Sequence, residues 1–388
     1  MKKYLTLASS FVIMLCIGSV YAWSLVASEL IDEYRFSALE TQVIFGALIG
    51  IFPVTMIFVG NISEKIKHRY FGYIAGALFL VGYYLAGHSQ GSFVPVFVGV
   101  GVLAGIGTGF GYWTALTVPV LWFPKNRGLA TGIAAAGFGL GAIFMSELFE
   151  ILFRSGYNVL QLLKIIGVVY GLIIIAASSF IFQVHEIPKR ENTQIGTSYF
   201  LRLTVFRRLF SGMFLGTFAG LLIVGSIGVI GGQHQITGSA LVLGVVFFSA
   251  ANFFGRLFWG GVSDYFETKL CIFLALLLQS LSILSLNVFL LTDISYLIIA
   301  ALIGFGFGGN FVLFAKETTQ AYGTESMGVI YPYVFVGYAI AGILGPLSGG
   351  FIYDFFGTFY YAVFLAGFMS LVGSLLFLNQ FFTSKKNE

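Results

Sequence analysis

Charged residues are scarce in this chain. Asp, Glu, Lys and Arg make up 9% of its 388 residues, while 58% are hydrophobic, and a soluble domain carries about a quarter charged residues. So few charges would not cover the surface of a soluble globule. The net charge of +4 does not indicate a nucleic-acid partner either, because the basic residues lie between the apolar runs. The composition predicts a polytopic membrane protein in contact with the lipid bilayer.

Cysteine and proline are rare as well. Cys16 and Cys271 both lie in apolar runs and fit neither a disulfide framework nor a zinc site. Glycine is abundant, with 50 residues, and it lets membrane helices approach closely. The apolar runs also lack the alternation of a transmembrane β-barrel. No Walker loop, dinucleotide fingerprint, metal cluster or catalytic triad is present, so we expect an all-α membrane protein that is no enzyme and uses no metal or cofactor.

A transmembrane helix needs about 20 apolar residues, and on that measure the chain has about twelve. We expect two six-helix bundles, 1–184 and 207–388, joined by a cytoplasmic linker at 185–206. The first run could be a signal peptide ending at Ala22, but it continues to Leu30, and its removal would leave an odd number of spans. The predicted spans are 5–28, 40–61, 71–88, 93–121, 128–153, 160–183, 208–232, 239–262, 269–291, 294–315, 326–351 and 358–382.

The basic residues give an orientation. Nearly all Lys and Arg residues fall on one side of this topology, with only Arg35, Arg154 and Lys164 on the other and Arg256 inside the membrane. The positive-inside rule then places both termini in the cytoplasm. We expect a multi-pass protein of the cell membrane, and a monomer.

The two halves share a loop motif. Gly60-Asn-Ile-Ser-Glu64 ends the second span and Gly260-Gly-Val-Ser-Asp264 ends the eighth, with Arg69 and Lys269 following at the same offset. This recurrence favours a duplicated six-helix unit. We expect Glu64 and Asp264 to meet the cationic side chains or helix ends of neighbouring segments and to latch the cytoplasmic side.

The cation inside the membrane is the strongest functional candidate. Arg256 lies eight residues before Asp264, or on the order of 12 Å at a helical rise of 1.5 Å per residue. An arginine at that depth faces a cavity or a partner, and its planar donors suit a carboxylate ligand. Asn252, one turn earlier, shares its helix face. A structural pair with Glu147 or Glu150 is the alternative.

Three sequence stretches carry a family resemblance. GSVYAWS (18–24), WFPKNRGLATGIAAAGFGLG (122–141) and GRLFWGGVSD (255–264) resemble the oxalate/formate antiporter family and its monocarboxylate-transporting relatives, within the major facilitator superfamily of transporters. The resemblance extends over essentially the whole chain. It implies two six-helix bundles around a central cavity, with small carboxylates carried by alternating access.

The family resemblance also implies site residues. An arginine on the eighth helix, here Arg256, would bind the substrate, and Tyr112 and Tyr21 match family tyrosines that contact the carboxylate. Packing or an interfacial belt is the alternative for both tyrosines. The positions that match cavity aromatics, for which core packing is an equal alternative, are Phe138, Phe307 and Phe311.

The eleventh span departs from the family's dicarboxylate members, which carry a lysine there. Residues 328–351 contain no Lys, Arg or His, and the aligned position is Val334 or, with a gap, Tyr338. A dianion such as oxalate would then leave one carboxylate without a charged partner, which is costly. We therefore expect a monocarboxylate of the lactate, pyruvate or formate type, with Tyr331 and Tyr338 as the neutral wall opposite Arg256.

The coupling mechanism stays open between proton symport and anion exchange. Glu147 and His234 are candidate proton carriers, although both also fit exposed positions. Lys316 and Glu317 are expected at the cytoplasmic end of the tenth span, where charges need no functional role. The alternatives are a dicarboxylate (oxalate-type) exchanger, a carrier of an unrelated small solute, and a non-transporting sensor on the same fold.

Overall fold

The computed structural model describes residues 1–183, 197–236, 239–288 and 291–384. Twelve of its helical stretches are long and apolar enough to cross a membrane, so the protein is a multi-pass membrane protein and the predicted fold class is confirmed. The helices of the first half are α1 Lys2–Ile17, α2 Trp23–Tyr34, α3 Ala38–Ile62, α4 His68–Gly87, α5 Phe93–Val96, α6 Gly105–Trp122, α7 Arg127–Arg154 and α8 Val159–Ser178. Those of the second are α9 Thr197–Arg202, α10 Thr204–Gln233, α11 Ser239–Val262, α12 Thr268–Val288, α13 Asp293–Tyr322, α14 Thr324–Phe356 and α15 Tyr360–Ser384.

The first span is not one continuous α-helix, as the prediction for 5–28 had it. A 3₁₀ turn, Gly18–Ala22, separates α1 from α2. The Ser19 hydroxyl donates to the Cys16 carbonyl at 2.7 Å, a local bond that competes with the helical pattern. A methyl group at Gly18 would lie 2.3 Å from the carbonyl oxygen of Phe138, so only glycine permits this approach.

The residues divide into two compact units. The first comprises Met1–Pro124, Ile133–Ile187 and Gly328–Pro332, and the second Lys125–Gly132, Pro188–Met327 and Tyr333–Glu388. Each unit therefore includes a short stretch from the other half of the sequence, at the start of α7 and in α14. Of the predicted linker, 185–196 lies outside the described residues, 197–202 forms α9, and α10 begins at Thr204.

Helix packing repeats between the units. In the first unit, α6 packs on α1, α3 and α4, and α8 packs on α1 and α4. In the second unit, α13 packs on α10, α11 and α12, and α15 packs on α10 and α12. The two patterns correspond helix for helix, which is the arrangement that a duplicated six-helix unit gives.

The repeated loop motif also has a repeated local structure. The hydroxyl of Ser63 donates to the carbonyl of Gly60, and that of Ser263 donates to the carbonyl of Gly260, each at 2.8 Å. These bonds satisfy one carbonyl at each helix end, where the backbone lacks helical partners. Equivalent serines, Ser63 and Ser263, therefore make the same hydrogen bond at the ends of α3 and α11.

Candidate functional site

Arg256 is completely buried in the second unit. Its exposed fraction is 0%, its Nε donates to Asn252 Oδ1 at 3.1 Å, and its Cζ lies 4.2 Å from the centroid of the Phe311 ring. The amide fixes one edge of the guanidinium, and the aromatic face attracts its charge. Asn252, Arg256 and Phe311, two of them from α11 and one from α13, thus form the centre of the candidate site.

Glycines in α11 and α13 explain why Phe311 reaches the arginine. A methyl group at Gly308 would lie 2.4 Å from the carbonyl oxygen of Asn252, and one at Gly255 would lie 2.3 Å from that of Phe305. Small residues at these positions let the two backbones come together. The GFGFGGN run of α13 therefore places its aromatic side chains directly against α11.

The first turns of α7 approach α11 in the same manner. A methyl group at Gly132 would lie 2.6 Å from the carbonyl oxygen of Arg256, and one at Gly128 would lie 2.3 Å from that of Gly260. The backbone of Arg256 is consequently held by glycine-containing helices on two sides. Its position along α11 has little freedom to shift.

Further aromatic rings extend this cluster. Phe311 lies edge-on to Phe307 at 5.2 Å and to Tyr338 at 5.5 Å, and Tyr338 stacks on Phe335 at 5.0 Å. The structure therefore brings Phe307 and Tyr338, both predicted as site residues, next to Phe311, whose ring faces the guanidinium of Arg256. Phe335 was not predicted, although its position three residues before Tyr338 on the same helix could have indicated it.

The predicted residues of the first half form a second aromatic cluster, within the first unit. Phe138 lies edge-on to Tyr21 at 5.1 Å and to Tyr112 at 5.4 Å, and Phe52 lies 5.7 Å from Tyr112. Tyr331 belongs to the first unit as well and is 1% exposed. The aromatic candidates that make ring contacts thus form one cluster in each unit.

Asp264 makes a concentrated set of polar contacts. Its carboxylate accepts from the backbone N–H groups of Gly128 and Leu129 at 2.9 Å each and from Lys316 Nζ at 2.6 Å. A carboxylate on the first N–H groups of a helix satisfies donors that have no helical partner. Asp264 therefore caps α7 and forms an ion pair with α13.

Lys316 and Glu317 lie near the end of α13, as the sequence predicted, but their burial was not predicted. They lie inside α13, six and five residues before its end at Tyr322, and each is only 5% exposed. The predicted span boundary at 315 was too early because hydropathy detects the loss of apolar residues and not the end of the helix. The long aliphatic stem of Lys316 packs in the interior while its amine reaches Asp264.

The other charged candidates lie at more exposed positions. Lys269 Nζ lies 3.8 Å from Glu267 Oε1 in a partly exposed ion pair. The guanidinium of Arg69 lies over the ring of Tyr70, and Glu64 is exposed.

Glu147 is exposed on α7, and His234 follows the end of α10 and is half-buried. Glu150 pairs with Arg154 on its own helix. Within the described residues, no group of three or more His, Cys, Asp or Glu side chains could hold a metal ion.

Comparisons with known proteins agree with this architecture. The sequence model of the Major Facilitator Superfamily matches residues 7–346. The chain is 28% identical to the oxalate:formate antiporter of Oxalobacter formigenes over 373 residues, which cover 91% of this chain and 85% of that protein. It is also 28% identical to monocarboxylate transporter 14 of Mus musculus over 148 residues, or 38% of this chain and 29% of that one.

A solved structure shares the fold. The fucose:proton symporter FucP of Escherichia coli superposes with a TM-score of 0.73 over 97% of this chain and 98% of its own, at 14% identity. The family match, these relatives and the twelve candidate spans lead to one conclusion: the chain is a transporter of the Major Facilitator Superfamily.

Proposed function

We propose that this transporter carries small organic monocarboxylates of the lactate, pyruvate or formate type by alternating access. The observation that carries the proposal is the position of Arg256, buried beside Asn252 and Phe311. The carboxylate of the substrate pairs with this guanidinium, and the surrounding aromatic rings contact its short apolar part.

The energetics of Arg256 favour an anionic ligand. Burial of an ion costs several kcal/mol in proteins. The ring of Phe311 offsets about 2 kcal/mol of this as a desolvated cation–π contact, and the hydrogen bond to Asn252 about 1.5–3 kcal/mol. A carboxylate adds charge-assisted, bidentate hydrogen bonds, so the guanidinium gains most from a ligand of this class.

The residues of α14 limit the number of carboxylate groups that the proposed substrate can have. The helix has no Lys, Arg or His between residues 328 and 351, and Tyr338 lies 5.5 Å from Phe311. A second carboxylate would meet tyrosine and phenylalanine there, and a charge buried without a partner is costly. One cation therefore selects one carboxylate.

Two coupling modes fit this chemistry. With proton symport the loaded carrier has the same charge as the empty one. With anion exchange, the charged empty carrier does not change conformation, so an anion must return. In either mode both termini lie in the cytoplasm and the protein lies in the cell membrane, as the distribution of Lys and Arg indicates.

Counterflow in proteoliposomes tests the proposal. Vesicles loaded with unlabelled lactate are expected to accumulate labelled lactate through the wild-type protein, with glucose as the neutral control. Arg256→Lys retains the charge but loses the planar fork, so we expect transport to fall about 100-fold, the loss of roughly 3 kcal/mol.

A matched arginine tests whether the effect is specific. Arg154 is exposed and pairs with Glu150, so Arg154→Lys should leave counterflow unchanged. Both variants should elute as monodisperse protein on size exclusion. Lactate transport by the Arg256→Lys variant at the wild-type rate would refute the proposed site, and equal uptake of glucose would refute the substrate class.

The runner-up function is dicarboxylate exchange. The relative from Oxalobacter formigenes is named for oxalate as well as formate, and it is 28% identical over 91% of this chain. Oxalate counterflow at the rate of lactate would support this second function.

A further inference from the structure

Two buried amide side chains, here called the amide pair, join three helices of the second unit. Gln279 of α12 is 0% exposed and Asn310 of α13 is 2% exposed. Asn310 Nδ2 donates to Gln279 Oε1 at 3.2 Å and to the carbonyl of Phe307 at 3.1 Å. Gln279 Nε2 donates to the carbonyl of Gly216, in α10, at 2.8 Å. A chain of hydrogen bonds therefore runs from α13 through α12 to α10.

Neighbouring glycines leave room for the amide pair. A methyl group at Gly216 would lie 2.5 Å from Asn310 Oδ1, and one at Gly306 would lie 2.9 Å from Gln279 Cβ. The three helices therefore approach closely enough for two short side chains to bridge them. A buried amide is costly unless it is hydrogen-bonded, so the pair favours one relative orientation of these helices.

The part of α13 that carries the site has few side chains to hold it in place. Four of the six residues from Gly304 to Gly309 are glycine. Glycine weakens a helix interior and offers no side chain that could interlock with a neighbouring helix. Close glycine contact sets the distance between α11 and α13, but it supplies no directional bond. The amide pair supplies one, next to this run.

Asn310 is linked to the site through its neighbours in α13. It directly precedes Phe311, and successive helical residues point about 100° apart. The ring of Phe311 therefore reaches Arg256 of α11, while the amide of Asn310 reaches α12. Asn310 also donates to the carbonyl of Phe307, whose ring lies 5.2 Å from that of Phe311. A rotation of α13 about its axis would break the amide bonds and move both rings.

We propose that Asn310 and Gln279 are positioning residues for substrate binding. They fix the rotation of α13, so that the ring of Phe311 stays over the guanidinium of Arg256. This inference rests on the proposed function, because it assigns to the amide pair a part in the affinity for the carboxylate. Neither amide has to touch the substrate.

Asn310→Leu tests the amide pair directly. Leucine has nearly the shape of asparagine but donates no hydrogen bond, and Gln279 Oε1 loses this donor. We expect the half-saturation concentration for lactate uptake to rise about fivefold, as a partial loss of the cation–π contact gives. The unfolding temperature should fall as well, because a buried acceptor is left unsatisfied. Uptake into proteoliposomes and thermal unfolding in detergent measure the two quantities.

The double variant Asn310→Leu/Gln279→Met separates positioning from stability. It replaces both partners by apolar side chains of similar shape, which leaves neither amide unsatisfied, so most of the thermal stability should return. The directional bond between α12 and α13 does not return. We therefore expect the half-saturation concentration to stay about fivefold above the wild-type value.

Ser280→Ala/Ser370→Ala is the matched control. The hydroxyl of Ser280 donates to the carbonyl of Gly367 at 2.7 Å, and that of Ser370 donates to the carbonyl of Leu276 at 2.9 Å. These buried bonds join α12 to α15 and do not involve α13. This variant should unfold at a lower temperature than wild type and keep the wild-type half-saturation concentration.

Trp259 of α11 is a probe of α13 that needs no substrate. Its Nε1 donates to the carbonyl of Phe305 at 3.1 Å, and a methyl group at Gly309 would lie 3.1 Å from its Cδ1. In full-length protein labelled with 5-fluorotryptophan, the fluorine resonance of Trp259 is assigned with Trp259→Phe. It should shift in Asn310→Leu and in the double variant, but not in the serine control. The reference signals come from the tryptophans of the first unit, Trp23, Trp113 and Trp122.

The proposal is overturned if the Trp259 resonance of Asn310→Leu is unchanged. It is also overturned if the half-saturation concentration of the double variant returns to the wild-type value together with its stability, since the amide pair would then serve stability alone. A wild-type protein that carries no lactate would refute the proposed function instead, and the Trp259 resonance would still report whether the amide pair holds α13.

Discussion

At the scale of single residues, the ring of Phe311 is the contact through which α13 acts on the guanidinium. Its centroid lies 4.2 Å from Arg256 Cζ, while Phe307 and Tyr338 meet it edge-on from two other directions. The cation–π geometry depends on these neighbours, because they hold the plane of the ring. Phe311 therefore contributes both charge stabilisation and orientation.

We expect Phe311→Leu to raise the half-saturation concentration for lactate uptake about 30-fold, since a desolvated cation–π contact contributes about 2 kcal/mol. Phe314→Leu is the matched control: Phe314 is 0% exposed on the same helix and contacts Phe377 instead. The Phe314→Leu variant should unfold at a lower temperature than wild type, while its half-saturation concentration for lactate should stay near the wild-type value. Equal changes in affinity in the two variants would assign the effect to packing alone.

The sequence predicted part of this residue-scale arrangement. Asn252 at i, i+4 from Arg256 follows from helical periodicity, and the hydrogen bond between them is present. Phe311 was a candidate only by family resemblance, because a phenylalanine in a glycine-rich run has the same pattern in any packed helix. Its position over the guanidinium depends on the distance between α11 and α13, which only the packed structure supplies.

At the scale of elements, close helix contact sets the distance between α11 and α13. Gly304 and Gly308 of α13 lie against the carbonyls of Phe248 and Asn252, where a methyl group would lie 2.1 and 2.4 Å from the oxygens. The spacing of four residues places both glycines on one face of the helix. Any side chain there would push α13, and Phe311 with it, away from α11.

Gly308→Ala should therefore destabilise the protein by about 1–3 kcal/mol, the usual cost of overpacking, and should reduce lactate affinity as Phe311 is displaced. Gly225→Ala in α10 is the matched control because a methyl group there meets nothing within 4 Å. Alanine is favoured over glycine in a helix by about 0.5–1 kcal/mol, so this control should be neutral or more stable. Thermal unfolding in detergent measures both, and a Gly308→Ala variant as stable as wild type would contradict the packing argument.

A second element-scale feature is the junction of α7, α11 and α13 at Asp264. One carboxylate serves two N–H groups of α7 and the amine of Lys316, and both charged side chains are almost fully buried, at 4% and 6% exposed. Removal of one partner from a buried pair leaves the other charge uncompensated, which costs more than loss of the pair.

Asp264→Asn and Lys316→Met should each destabilise the protein by about 3–5 kcal/mol, and the double variant should lose clearly less than their sum. Lys269→Gln provides the comparison because the ion pair of Lys269 with Glu267 is long and partly exposed. This variant should lose less than about 1 kcal/mol of unfolding free energy. Additive losses in the double variant would show that the two side chains act separately.

Most helices follow from hydropathy, but their ends do not. The long apolar runs predicted twelve spans, and the described part of the chain has twelve helical stretches long and apolar enough to cross a membrane, because the bilayer imposes a minimum length on each span. The continuation of α13 through Lys316 to Tyr322 and the 3₁₀ turn at Gly18 were missed. Both depend on partners distant in sequence, namely Asp264 for the lysine and the backbone of Phe138 for the glycine.

At the scale of the whole molecule, the distribution of buried charge limits what can be carried. Among the described residues, the buried Lys, Arg, Asp or Glu side chains are Arg256, Lys316, Glu317 and Asp264, and Lys316 pairs with Asp264. Glu317 is its immediate neighbour in α13, near the end of the helix. Arg256 is the buried cation of α11, and under the proposed function a monoanion binds beside it.

This charge balance gives a prediction for substrate selection. Wild-type protein should exchange lactate, pyruvate or formate and discriminate against oxalate by at least about 100-fold, because a second carboxylate left without a partner costs several kcal/mol. A lysine placed across the Phe311 ring should remove that penalty. Tyr338 lies 5.5 Å from Phe311, so Tyr338→Lys should raise oxalate counterflow and lower lactate counterflow.

Ile340→Lys is the matched control for this gain of function. It adds the same charge two residues further along α14, at a side chain that is 38% exposed, and successive helical residues point about 100° apart. A general attraction of dianions by added positive charge would raise oxalate transport in both variants. Only a ligand that contacts Arg256 with one carboxylate and position 338 with the other gives the effect in Tyr338→Lys alone, whereas rapid oxalate exchange by the wild-type protein would contradict the single-cation account directly.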